Sequence, residues 1–61
     1  MHRPNISIDG HRITGSNLSD SNWQMSVGAK IRGRYGVDRG NDMIRSVAEA
    51  NDGRRYPMYG R

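Results

Sequence analysis

The chain has no cysteine and no phenylalanine. The first absence excludes disulfides and thiolate metal sites, and it suits the reducing cytoplasm, where we expect the protein to work. The second leaves one tryptophan and three tyrosines as the only aromatic side chains for a core. Long apolar runs are missing as well. No stretch approaches the ~20 apolar residues of a membrane span, and Met1-His2-Arg3-Pro4-Asn5 lacks the apolar run of a signal peptide. No membrane partner is therefore expected, and Asn5-Ile6-Ser7 and Asn17-Leu18-Ser19 match the glycosylation pattern by chance. The two histidines have no ligand spacing, so neither metal nor cofactor is expected.

Catalytic motifs are likewise lacking. The sequence holds no nucleophile elbow, Walker loop, dinucleotide fingerprint or paired-histidine metalloprotease motif. Gly28, Gly33, Gly36 and Gly40 lack the following Lys-Ser/Thr of a phosphate loop, and are expected to mark turns, bulges or close packing. His11 beside Asp9 and Arg12 is the one hint of acid–base chemistry, and a hairpin histidine with a turn carboxylate nearby explains it without a catalytic role. The chain is expected to bind rather than to catalyse.

Sixty-one residues make one small domain, and a chain of this size buries only about 60% of its unfolded surface. A core this small supplies roughly 3–5 kcal/mol. Without disulfides or a metal, self-association into a homo-oligomer or docking on a partner is the remaining supplement. We read residues 1–53 as the domain and 54–61 as a tail.

Local patterns give its elements. In Asn5 to Thr14, alternating β-branched residues flank Asp9-Gly10, which suits the two positive-φ positions of a type I′ turn. The predicted pairs are Ile8 with His11, Ser7 with Arg12 and Ile6 with Ile13, and Gly15 to Asn22 reads as a loop rich in turn residues. From Trp23 to Val37, apolar residues fall on odd positions, with Gly33 the one gap. Strict alternation predicts strand. Fifteen extended residues would reach roughly 50 Å, so a three-residue loop, Gly28-Ala29-Lys30, is predicted to fold the run into a second hairpin that pairs Trp23 with Tyr35. Beyond it, Asp38 or Asn41 can cap a helix whose stripe is Met43, Ile44, Val47, Ala48 and Ala50, and Gly53 ends it. The expected fold class is α+β: an antiparallel sheet of two β-hairpins with one short C-terminal helix on its apolar face.

Ten Lys and Arg against six Asp and Glu give a net charge of +4, and nine of the ten cations are arginine. Arginine grips phosphate or carboxylate with a planar fork. On the predicted sheet, Lys30, Arg32 and Arg34 share a solvated face with Arg12, while Arg54, Arg55 and Arg61 alternate with Tyr56 and Tyr59 in a tail fit for stacking on bases. The segment from Asp42 to Arg54 resembles the first helix of ribbon-helix-helix repressors, which also follows a basic strand; the resemblance would place base contacts near Lys30, Arg32 and Arg34. The expected function is a nucleic-acid-binding accessory protein, for DNA or RNA, using Arg12, Lys30, Arg32, Arg34, Arg54, Arg55, Tyr56 and Tyr59. The alternatives are a modulator docked on an acidic protein surface, such as a phage-type inhibitor of a host enzyme anchored by Trp23, Tyr56 and Tyr59, and an oligomerising assembly subunit.

Overall fold

The computed structural model describes residues 5–57. Its first element follows from the Asp9-Gly10 pair, whose φ angles of +50° and +84° turn strand β1 (Ser7–Ile8) back onto β2 (His11–Arg12). The register, Ser7 with Arg12 and Ile8 with His11, is the one that a two-residue turn dictates. Ile8 and Ile13 are buried, whereas Ile6 is exposed because its backbone is drawn away to another partner.

That partner is Asn51. Its amide, 1% exposed, accepts the Ile6 N–H at 2.8 Å and donates to the carbonyls of Ile6 at 2.9 Å and Ile13 at 2.7 Å. The open end of the hairpin is thereby fixed to the helix that carries Asn51. Asp52 repeats the device for the next turn of chain, accepting Gly15 N–H at 2.7 Å at the start of the short helix α1 (Gly15–Leu18).

Asp20 starts the next helix by accepting the N–H groups of Asn22 at 3.0 Å and Trp23 at 3.2 Å. This helix, α2, runs over 21–35: an α-helical turn Ser21–Trp23, a π-helical stretch Gln24–Gly28, and α-helix Ala29–Tyr35. Gly36, with φ +96°, makes the corner to α3 (Val37–Asp52), which Gly53 ends in the left-handed conformation, its N–H donating to Glu49 O at 2.8 Å. Val27, Ile31 and Tyr35 of α2 meet Ile44, Val47 and Ala48 of α3, and Ile8 and Ile13 complete the core. Gly40 lets the two helices approach closely, since a Cβ there would lie 3.0 Å from Arg32 Cα.

The predicted fold class is overturned. The described residues are 66% helical with one two-stranded sheet, and three helices stand in place of a second hairpin and one short helix. The run from Trp23 to Val37 is helix because every other member of its alternating pattern, at 23, 27, 31 and 35, also recurs every four residues and forms a helical stripe. The supposed loop at 15–22 contains α1 and the first residues of α2. The cap of α3 is Gly36, with Asp38 in the first turn, in place of Asp38 or Asn41. Among the described residues no helix is long and apolar enough to cross a membrane.

Replacing Asn51 by alanine strands the buried Ile13 carbonyl and takes a partner from the part-buried N–H and carbonyl of Ile6, so Asn51→Ala is expected to lower stability by about 2–3 kcal/mol. Urea unfolding measures it. A loss below about 0.5 kcal/mol, the size of an ordinary surface change, would mean that side-chain packing alone holds the hairpin.

Candidate nucleic-acid interface

Around α2, exposure alternates in pairs. Residues 21–22, 25–26, 29–30 and 33–34 face solvent, and 23–24, 27–28, 31–32 and 35 face inward or are half-buried. A repeat of four residues drifts by about 40° per turn on an ideal α-helix. The π-helical stretch Gln24–Gly28 winds more slowly, which keeps the outward stripe straighter along the helix.

This geometry separates the predicted cations. Lys30 and Arg34, one turn apart, both stand on the outward stripe. Arg32 turns inward: its guanidinium lies over Gly28 and donates to Gln24 O at 2.7 Å, Gln24 Oε1 at 3.2 Å and Asn41 Oδ1 at 3.5 Å. It ties the π-helical stretch to α3. The solvated strand face predicted to carry Lys30, Arg32 and Arg34 together is therefore corrected to a helical face bearing two of them, and the basic strand of the ribbon-helix-helix resemblance disappears with it.

The other predicted residues lie apart. Arg12 is exposed on β2, with Nε donating to Asn5 Oδ1 at 2.9 Å toward the open end of the hairpin. Arg54 and Arg55 are exposed beyond the far end of α3, which at 1.5 Å per residue is roughly 24 Å from the Gly36 corner. Tyr56 is anchored: its N–H donates to Glu49 Oε2 at 2.8 Å, its hydroxyl to Asp52, and its ring lies where a side chain on Gly15 would stand. The Arg54 guanidinium covers that ring at 5.3 Å. Tyr59 lies outside the described residues.

Arg39 was not singled out from the sequence. It is exposed in the first turn of α3, and with Arg34 it flanks Tyr35, whose hydroxyl donates to Asp9 Oδ1 at 2.9 Å. That hydrogen bond and partial burial raise the Tyr35 pKa, against the nearby charges of Arg34 and Arg39. Arg34 also meets Asp9 Oδ2 at 3.8 Å, a solvent-exposed pair that restrains it little. Helical spacing from Gly36 onward would have exposed Arg39 to sequence reasoning. No group of His, Asp or Glu able to hold a metal occurs among the described residues.

Comparisons with protein-family models, curated proteins and solved structures find no match to this chain.

Gly33 stands on the outward stripe at an ordinary helical φ, with nothing within 4 Å of where a Cβ would be. Gly33→Ala is therefore expected to stabilise the fold by about 0.5–1 kcal/mol. The same change at Gly40 meets the Arg32 backbone and is expected to destabilise by about 1 kcal/mol or more. Thermal unfolding of the two variants tests the helix packing, and shifts of the same sign would refute it.

Ionisation gives a second test. The Tyr56 N–H holds the Glu49 carboxylate below its ordinary value, against partial burial and helped by Arg45, so the stability it supplies is present above pH 4.5 and is lost as pH falls through the lowered folded value. The Asp52 carboxylate, with burial, raises the Tyr56 pKa, so that contribution is complete below pH 10.0 and is lost as pH rises through the raised folded value. Stability measured against pH should fall at both ends. Glu49→Gln should flatten the acid limb only and Tyr56→Phe the alkaline limb only.

Proposed function

We propose that this is a non-enzymatic nucleic-acid-binding accessory protein of the cytoplasm whose contact surface is the outward stripe of α2 with Arg39 beside it. One observation carries the reading: the stripe presents Lys30 and Arg34 and contributes no acidic residue of its own, while Asp9 of the hairpin turn meets Arg34 at 3.8 Å in an exposed, weak pair. Such a face attracts a phosphate backbone, and a phosphate could take the place of Asp9 on Arg34. The surface is convex, which suits docking along a polymer better than enclosing a small substrate. Nine arginines among ten cations add the geometry that phosphate prefers.

The modulator reading has less support, because two of its three anchors are engaged within the fold. Trp23 packs on the core, and Tyr56 is held by Glu49 and Asp52. An acidic protein could meet the same basic stripe, and it is the competing outcome. Among the described residues, Met25, 78% exposed, Val37, 62% exposed, and Ile6, 41% exposed, are the large apolar residues that an oligomer would cover.

Binding to labelled nucleic acid should weaken with salt, and the double variant Lys30→Ala, Arg34→Ala should reduce the slope of log affinity against log salt by roughly 2. Fluorescence anisotropy with mixed-sequence DNA and RNA over a salt series measures this. An unchanged slope would move the contact to other arginines, and no binding to either polymer would remove the reading. Mass in solution, measured in parallel, tells a monomer from an oligomer.

A further inference from the structure

We infer that the nucleic acid is duplex DNA, with α2 laid in the major groove by its outward stripe. The inference rests on the nucleic-acid reading above and goes further by naming the duplex and the groove. Single-strand binders stack bases on free aromatic rings. Here Trp23 packs on the core, the Arg34 guanidinium lies over the Tyr35 ring at 5.6 Å, and the Tyr56 ring is seated against Gly15 under Arg54. All three rings are half-buried and packed or covered on a face, so the described residues provide no open row of rings for stacking.

The basic helix face fits a duplex instead. A helix with its side chains is about 10–12 Å across, and the major groove of B-DNA is about 12 Å wide. The major groove of A-form RNA is too deep and narrow for side chains to read. Over 21–35 the helix extends roughly 22 Å, and its outward stripe alternates slender positions with long cations: Ala29 beside Lys30, then Gly33 beside Arg34. Lys30, and Arg34 on exchanging its exposed partner Asp9 for a phosphate, can reach the groove walls while the small residues allow the backbone to approach the base edges. Gly33 fits this arrangement because the fold does not require it. A side chain there would meet nothing inside the protein, so the bare backbone leaves room for something outside it.

The test uses the full chain with a labelled DNA duplex of roughly 20 base pairs, one of its single strands, and the matching RNA duplex, at about 50 and 200 mM salt. Duplex DNA should bind at least about tenfold more tightly than either of the others. Gly33→Leu places a branched side chain on the groove-facing stripe, and should cut duplex affinity about tenfold or more while circular dichroism and melting show an intact fold. Equal affinity for single strands or for duplex RNA would overturn the inference and leave the nucleic-acid reading standing. Wild-type affinity in Gly33→Leu would overturn the α2 docking face. No binding to any of the three would defeat the nucleic-acid reading itself, and with it this inference.

Discussion

The fold depends on one buried amide. Asn51 reaches from the last turn of α3 to both ends of the hairpin, 45 and 38 residues away in sequence, and meets the buried Ile13 carbonyl together with the part-buried N–H and carbonyl of Ile6. A two-stranded hairpin is marginal alone in water. The side chains that bury it belong to a core of only four isoleucines and one alanine, aided by half-buried neighbours. Asp52, the next residue, binds Gly15 and Tyr56 and so fixes the segments that lead into α1 and out of α3. An acidic residue at a helix C-terminus is disfavoured by the macrodipole. Its two donors offset that cost, and one helical turn thereby organises four separate parts of the chain.

A second constraint decides which face of α2 reaches water. Gly36 supplies a backbone corner that L-residues rarely adopt, and Gly40 admits the Arg32 backbone against α3. With the helices this close, the Arg32 guanidinium cannot project outward and instead bonds across to Gln24 and Asn41. The same contact that sets the helix crossing thus removes one cation from the surface. What remains outward is narrow, basic at one end and built largely of small residues.

The hairpin was legible in the sequence because its information is local: Asp9-Gly10 sets the turn, and the turn sets the register. The last helix was legible for the same reason, through its apolar stripe and the Gly53 stop. The middle of the chain was misread because a period of two contains a period of four. Trp23, Val27, Ile31 and Tyr35 are all that a helix needs on its inner face, and Met25, Ala29 and Val37 complete an alternation whose outer members reach solvent. One signal favoured helix: Asp20 stands where an N-cap should. The Asn51 contacts were not legible, since nothing local to an asparagine in a helical stripe indicates a hairpin 38 residues earlier.

Helix in place of strand alters the electrostatics as much as the shape. A strand would have set three cations in a row, enough to follow a phosphate backbone by charge alone. On the helix Arg32 is turned about 200° from Lys30 and from Arg34, following the 3.6-residue turn, so charge contributes less and fit must contribute more. The carboxylates reinforce this limit: Asp20 caps one end of α2, and Asp38 and Asp42 are exposed beyond the corner at the other. On the proposed reading a phosphate backbone would meet Lys30 and Arg34 between these carboxylates, with Asp9 also beside Arg34. A polyanion bound as proposed would be held over a short length and by few cations, so that the fit of a slender surface would have to supply what charge does not.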